Sequence, residues 1–262
     1  MDEPLTTPIG VRGLTVPLRH GVDWVPGRIG RPQEAEDMRD DTLIVEDTLL
    51  LMLDDESGTP AGAGTLPYVL GGGMLVELAL LGRVEADESR AGLGGPMIVA
   101  VGEDPLPDPL LQNAHDVVAR RPRRVQSLLG ELGDLWKPLI ERLLERGFIR
   151  RERKRVLGLI PTTRLPSTAS QHETALRQRV VDVLEGGAEP DPHTAAVIAL
   201  VSASGTLPSL HPRPKWSGAV IQRAKELEEG NWGAGAVGDA VTRTAVAIAA
   251  ASAAVVVTTA TH

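Results

Sequence analysis

The chain has 262 residues, is 42% hydrophobic but only 2% aromatic, and contains no cysteine. A core built from aliphatic side chains favours helix packing over a β-sandwich or barrel. The missing thiols exclude disulfides, thiolate catalysis and cysteine-ligated zinc, and they fit a cytoplasmic protein. The net charge is −8, yet 13 Lys and Arg stand against 5 Asp and Glu between Arg120 and Arg164. Such a basic segment indicates a site for phosphate or an anionic surface, with a solvated face of local ion pairs as the alternative.

Residues 1–40 contain five prolines and show no sustained hydrophobic period. This pattern predicts a flexible N-terminal arm, in which Trp24 and several arginines could dock onto a partner or fold back on the body. Residues 41–262 are predicted to form one domain.

Two strongly apolar helices are predicted at the start of this domain. Residues 44–53 predict a helix with acidic residues in its first turn, and residues 70–81 predict a second. The second helix is predicted to open at Gly71, Gly72 and Gly73, where unpaired backbone N–H groups would form an anion site. The alternative is a flexible helix entry that allows close packing.

Further helices are predicted at residues 110–119, 170–186, 194–204, 218–229 and 234–257, and a strand pair at residues 83–87 and 97–101. The longest apolar stretch near the C-terminal end has 13 residues, whereas a membrane span needs roughly 20. It is therefore predicted to be a buried helix. The predicted fold is all-α, a helical bundle core with surrounding amphipathic helices and a small β-hairpin.

A short amphipathic helix and then two short strands are predicted between Pro138 and Leu165. The proline suits the first helical turn, and Gly147 suits the position just past the helix end. The strands that follow carry a basic run and then an apolar run. A basic and partly apolar protrusion on an acidic protein indicates an anionic partner.

Three cations of this helix are candidates for binding that partner. Arg142 and Arg146 lie four residues apart, and with Lys137 they are predicted to bind an anionic lipid or phosphate. The alternative is that the arginines form surface ion pairs with Glu141 and Glu145.

The hairpin is predicted to contact a lipid headgroup region or a neighbouring subunit. Its candidate contact residues are Arg153, Arg155, Val156, Leu157, Leu159 and Ile160. Leu157 and Leu159 alternate along a strand and are expected to share a face. Packing on the chain's own bundle is the alternative.

No residue pattern of the chain predicts an enzyme. The six histidines do not stand at metal-ligand spacing, and no nucleophile elbow or catalytic triad pattern occurs. We therefore predict a protein without catalytic residues, bound metal or cofactor.

Six apolar segments punctuated by glycine follow one another along the chain. They are LIVEDTLLLMLDDESG (Leu43–Gly58), GGGMLVELALLGRV (Gly71–Val84), DPLLQNA (Asp108–Ala114), LLERGFI (Leu143–Ile149), LGLIPTTRLP (Leu157–Pro166) and DPHTAAVIALVSASG (Asp191–Gly205). In this order and spacing they resemble the Golgi phosphoprotein 3 family, in its bacterial branch.

The resemblance implies a largely helical domain with a central bundle and a β-hairpin used in oligomer or membrane contacts. Eukaryotic members are not enzymes but peripheral membrane adaptors, which bind phosphatidylinositol 4-phosphate and sort Golgi glycosyltransferases. The family's lipid-contacting Trp falls near Gly62 and its neighbouring Arg at Gly71. Two further arginines fall near Gly133 and Trp136, so the headgroup residues do not carry over to this chain.

The resulting hypothesis is a non-enzymatic peripheral membrane or adaptor protein. It binds anionic phospholipid or a phosphate-bearing headgroup near the basic helix and hairpin, forms homo-oligomers through the hairpin, contacts protein partners, and lies in the cytoplasm at the inner membrane face. The alternative is a winged-helix-like regulator that binds nucleic acid, since a short helix before a basic hairpin is also typical of a recognition helix and wing. The acidic remainder of the chain makes nucleic acid the less favoured partner.

Overall fold

The computed structural model describes residues 42–92, 95–156, 160–210, 213–230, 232 and 244–252. Its helices are α1 (Ile44–Met52), α2 (Leu66–Leu80), α3 (Pro109–Ala119), α4 (Val125–Leu132), α5 (Trp136–Glu145), α6 (Gln171–Glu185), α7 (Pro192–Ala203) and α8 (Gly218–Glu228). A 3₁₀ turn spans Leu207–Ser209, and residues 244–252 are helical. The predicted N-terminal arm and the outer parts of the helix predicted at 234–257 lie outside the described residues.

Two small antiparallel sheets accompany the helices. In the first, β1 (Val84–Gly92) pairs with β2 (Gly95–Ala100), and the short β3 (Arg123–Arg124) extends the sheet from β2. The second is the predicted hairpin of β4 (Glu152–Val156) and β5 (Ile160–Arg164). The structure confirms a predominantly helical protein and the strand pair predicted at residues 83–87 and 97–101, which forms β1 and β2. The strand content exceeds the single small hairpin of the predicted all-α class, and β3 and α4 are additional elements.

The core is centred on α1, which packs against α2, α5, α6 and α7. Every residue of α1 is buried, including the three consecutive polar residues Glu46, Asp47 and Thr48. A helix that is buried all round belongs in the middle of a bundle. Polar side chains on such a helix need partners inside the protein.

No helix among the described residues has the length and apolar character needed to cross a membrane.

The predicted helix start at Gly71–Gly73 is wrong. Helix α2 begins five residues earlier, at Leu66, so the amides of these glycines are past the first turn and bond within the helix. All three glycines are buried in helix contacts. A Cβ at Gly71 would overlap the backbone of Leu129 in α4, and one at Gly73 would lie 3.1 Å from Cα of Val45 in α1. Close packing, the alternative named above, is therefore their role, and the geometric basis for an anion site there is absent.

Replacing Gly71 by Ala should destabilise the protein, because the added Cβ would lie 2.9 Å from Cα of Leu129 and α4 would have to move. Overpacking of this kind costs about 1–3 kcal/mol. Gly130 is the matched control: it lies on the exposed side of α4 with nothing within 4 Å of an added Cβ. Gly130→Ala should stabilise by about 0.5–1 kcal/mol through helix propensity. Urea unfolding of both variants measures the difference, and equal effects would contradict the packing role of Gly71.

Candidate anion-binding hairpin and the buried ion-pair cluster

The hairpin follows α5 through a tight helix end. Gly147 has a φ of 71°, and its N–H donates to the carbonyl of Leu144 at 3.1 Å. The N–H of Phe148 donates to the carbonyl of Leu143 at 2.9 Å. This pair of bonds is a Schellman motif, in which glycine tolerates the left-handed backbone. The predicted glycine stop is confirmed, and it turns the chain from α5 into the hairpin.

The base of the hairpin is attached to the loop after α1. The N–H of Leu165 donates to the carbonyl of Ser57 at 3.1 Å, and the N–H of Ser167 donates to the carbonyl of Asp55 at 2.9 Å. Arg177 of α6 bonds to the carboxylate of Asp55 at 2.5 Å and to that of Glu173 at 2.6 Å. Since Arg177 and Glu173 are buried, these bonds hold the hairpin base on the body.

Beyond its base, the hairpin is strongly basic. Six Lys and Arg and one Glu lie between Arg150 and Arg164. Arg150 pairs with Glu152 at 2.9 Å. Arg151 and Arg153 are exposed, and neither contacts a carboxylate in the described part of the chain. Their charge is therefore directed to solvent.

In the described part of the chain, β4 and β5 pack mainly on each other, and none of the helices makes an extensive contact with either strand. The ladder pairs Arg153 with Thr163 and Arg155 with Pro161, and Val156 with Ile160. Leu157 and Leu159 lie outside the described residues. The predicted strand pair is thus confirmed for Glu152–Val156 and Ile160–Arg164.

Two of the three predicted anion-binding cations on α5 are committed to internal ion pairs. Arg142 bonds to Glu46 at 3.1 Å through Nε and to Asp108 at 2.6 Å through Nη1. Arg146 bonds to Glu46 at 3.1 Å through Nε. Their partners are not the predicted surface residues Glu141 and Glu145, and Glu46 is fully buried. The arginines therefore neutralise a carboxylate inside the protein.

The exposed side of α5 does not suit a phosphate. Lys137 is exposed, but Glu141 and Glu145 share that surface one and two turns further along. The two carboxylates also line a surface depression of about 430 Å³ beside Arg142 and Arg146. A recognition helix needs a cationic face toward DNA, so this face gives no support to the winged-helix alternative.

A second buried cluster is centred on Asp47, next to Glu46. Nε2 of His172 lies 2.6 Å from Oδ1 of Asp47, and Nε2 of His193 lies 3.0 Å from Oδ2. These histidines stand in the first turns of α6 and α7, and His172 also stacks on Phe148 with ring centroids 4.8 Å apart. One carboxylate therefore joins α1, α6 and α7.

The charges of this cluster shift one another's protonation. Burial alone would raise the pKa of Asp47, but the hydrogen bonds to His172 and His193 outweigh it, so the pKa is lowered. Burial would lower the pKa of His193, but the hydrogen bond and charge of Asp47 outweigh it, so the pKa is raised. Burial raises the pKa of Glu77, which accepts the N–H of Ile44 at 2.6 Å and lies near both groups.

Sequence reasoning missed these buried polar residues. Glu46 and Asp47 looked like ordinary first-turn acids, and His193 looked structural within a helix start. The available signal was three consecutive polar residues in a helix that is otherwise apolar on every side, which indicates buried partners. Among the residues that the structure describes, no group of three or more His, Asp or Glu side chains could hold a metal ion.

The family profile of Golgi phosphoprotein 3 (GPP34) matches residues 44–244, most of the chain. The chain belongs to the Golgi phosphoprotein 3 family. Family members are generally non-enzymatic adaptors. No curated protein matches the chain significantly.

Two of the four positions at which the resemblance places headgroup residues, Gly71 and Gly133, are packed against backbone. A Cβ at Gly71 would overlap the backbone of α4, and a Cβ at Gly133 would lie 2.7 Å from the carbonyl carbon of Pro67. Neither position can carry an arginine without moving α2 away from the segment that contains α4. Stereospecific headgroup recognition through these positions is therefore not built into this packing.

Arg142 and Lys137 should differ sharply on substitution. Arg142→Gln should lower the free energy of unfolding by about 2–3 kcal/mol, because Glu46 would stay buried with one cation fewer. Lys137→Gln should change it by no more than about 0.5 kcal/mol, since Lys137 is exposed. Urea unfolding measures both. A stable Arg142→Gln protein that no longer binds anionic vesicles would instead identify Arg142 as a ligand-binding residue.

The Asp47 cluster predicts that stability falls as pH rises from 5.5 to 8.5. The pKa of His193 is raised in the folded protein. The stability that His193 contributes is therefore complete below its pKa in the unfolded chain, about 6.5, and is lost as pH rises through its pKa in the folded protein. The pKa of Glu77 is also raised, so the stability that Glu77 contributes is likewise lost as pH rises above about 4.5. The contribution of Asp47, whose pKa is lowered, is complete above about pH 4 and is lost only at lower pH.

Thermal unfolding across this range measures the effect, with His193→Gln as the test variant. The variant should unfold at a lower temperature at pH 5.5 and should show a shallower decline toward pH 8.5. His115→Gln is the control, because among the described residues the His115 ring bonds to the carbonyl of Val101, at 3.3 Å, and not to a carboxylate. An unchanged slope in His193→Gln would show that His193 does not carry the effect.

Proposed function

We propose that this protein is a non-enzymatic adaptor that attaches reversibly to anionic phospholipid surfaces through the β4–β5 hairpin. The observation that carries the proposal is the pair Arg151 and Arg153, two exposed arginines with no carboxylate partner among the described residues, on a protrusion that the helices do not cover. Family membership supports the adaptor role. The hairpin cations supply the attraction.

The proposed attachment is electrostatic and weak. A cation near an anionic bilayer contributes about 1 kcal/mol, and this attraction falls off within a Debye length of about 8 Å at physiological salt. Several exposed cations therefore give reversible binding that declines as salt rises. We expect no strong preference for phosphatidylinositol 4-phosphate, because none of the three positions at which the resemblance places headgroup arginines carries one, and two of them are glycines packed against backbone.

The hairpin tip adds an apolar component to the proposal. Leu157 and Leu159 are proposed to enter the headgroup layer or to contact a second copy of the chain. A few cations and a small inserted apolar surface suffice for reversible membrane attachment. Location at the inner face of the cytoplasmic membrane follows from this proposal.

Reversing the hairpin charge tests the proposal. Arg151→Glu with Arg153→Glu should reduce flotation with phosphatidylglycerol-containing vesicles more than tenfold, since two attractions of about 1 kcal/mol each become repulsions. The fold should be unaffected because both side chains are exposed.

Arg120→Glu with Arg121→Glu is the matched control, with the same change in net charge at exposed residues of another surface. Equal losses in both double variants would indicate a general charge effect and contradict the hairpin site. Binding to duplex DNA by the parent protein that is lost only in the hairpin variant would favour the nucleic-acid alternative.

A further inference from the structure

The start of α8 presents apolar side chains to solvent. In the part of the chain that the structure describes, the exposed large hydrophobic residues are Leu81, Trp216 and Ile221, and two of these three lie close together in sequence. Trp216 is 43% exposed and Ile221 is 45% exposed. Exposure of one such side chain is ordinary, but an exposed tryptophan beside a second large apolar residue is not.

Helix geometry explains why these residues lie near each other but not why they remain exposed. The hydroxyl of Ser217 accepts the N–H of Val220 at 3.2 Å, which makes Ser217 the N-cap of α8. Trp216 then precedes the cap and Ile221 is the fourth helical residue, the two positions of a hydrophobic staple. The face of α8 that packs on the body is formed by other residues, namely Val220, Ala224 and Leu227. The fold therefore does not bury Trp216 or Ile221.

The surrounding charge is positive. Residues 206–225 contain four Lys and Arg and no Asp or Glu, in a chain whose net charge is −8. Lys215 has a 92% exposed side chain, and Arg213 is exposed without a carboxylate partner in the described residues.

Acidic groups reach this surface from neighbouring turns. Glu185 of α6 lies 3.9 Å from Nζ of Lys215, and within α8 Glu226 pairs with Arg223 at 3.5 Å and Glu228 with Lys225 at 3.1 Å. Arg213 and most of the Lys215 charge therefore remain directed to solvent beside Trp216.

This combination fits a lipid bilayer better than a protein partner. Tryptophan prefers the membrane–water interface, where its ring meets apolar chains and its N–H stays hydrated, and flanking cations meet anionic headgroups. A stable protein interface needs a total buried area of more than about 1,000 Å² with a central apolar cluster. Two half-exposed side chains fall well short of that, whereas a bilayer can accept them singly.

We propose that Trp216 and Ile221, with Arg213 and Lys215, form a second membrane contact that inserts into the interfacial layer of an anionic bilayer. This contact rests on the proposed attachment to phospholipid, but it lies on α8 and not on the hairpin. Attachment through the hairpin cations alone would depend fully on salt concentration. The α8 contact adds an apolar component that resists salt.

Tryptophan fluorescence tests this contact directly. The full chain is mixed with vesicles of phosphatidylcholine and phosphatidylglycerol, with and without lipids brominated on the acyl chains. The parent protein should show quenching by the brominated lipid, and Trp216→Phe should lose most of it. Trp24→Phe, which also removes one tryptophan, should retain it. The double variant Trp216→Ser with Ile221→Ser should bind vesicles roughly tenfold more weakly, with an unchanged melting temperature because neither side chain is in the core.

The outcomes separate this inference from the hairpin proposal. Trp216-dependent quenching that survives charge reversal of Arg151 and Arg153 supports the α8 contact, whatever the hairpin does. Quenching that is the same in Trp216→Phe and the parent overturns it, even if the hairpin variant loses flotation. A blue shift of the Trp216 fluorescence emission that depends on protein concentration and not on added lipid also overturns the inference. That result would assign the Trp216 surface to contact with a second copy of the chain.

Discussion

Two adjacent buried carboxylates determine much of this structure. Glu46 and Asp47 sit in the first turn of α1, which has no residue open to solvent. An unpaired buried carboxylate would cost several kcal/mol, so each must receive partners from the elements around it. Glu46 receives Arg142 and Arg146 from α5, and Asp47 receives histidines from α6 and α7. The positions of three helices around α1 are thereby coupled to the charge state of one turn.

The need to pair these carboxylates also explains why the basic segment presents fewer free cations at the surface than its composition indicates. Two of the arginines on α5 neutralise Glu46, and one of them also bonds to Asp108, the N-cap of α3. Exposed cations without a carboxylate partner among the described residues follow further along the chain, at Arg151 just before β4 and at Arg153 within it. The helix before the hairpin therefore contributes to stability and the hairpin presents the charge.

Close backbone contacts around α2 have a similar effect on ligand recognition. Gly71 lets α2 approach α4 so closely that the backbone of Leu129 occupies the place of a side chain, and Gly133 does the same against Pro67. In the Golgi phosphoprotein 3 family the aligned positions hold headgroup arginines, as the resemblance implies. With backbone packed at these two positions, the proposed attachment to anionic lipid relies on cations and apolar residues outside the core.

The two membrane contacts proposed above would add their free energies without a shaped pocket. The hairpin and the Trp216 surface are attached to opposite ends of α6. The hydroxyl of Ser167, at the hairpin base, donates to Glu173 near the start of α6, and Lys215 contacts Glu185 at its end. Attachment of the proposed kind would be readily reversed, and we expect it to select for surface charge and not for one headgroup.

Most of the helices, the glycine stop at Gly147 and the basic hairpin follow from local patterns of the sequence alone, because hydrophobic period, capping residues and turn glycines act within a few neighbouring residues. The start of α2 was misplaced, since a Gly-Gly-Gly run favours a helix end locally and only burial against α1 and α4 makes it a helix interior. Arg142 pairs with Glu46 across 96 residues of chain, and Asp47 pairs with histidines that are 125 and 146 residues away. A local sequence pattern cannot predict pairs that are so far apart in the chain. The sequence alone determined that cations and carboxylates were present. Only the packing of α1 among α5, α6 and α7 decided which of them neutralise one another and which remain at the surface.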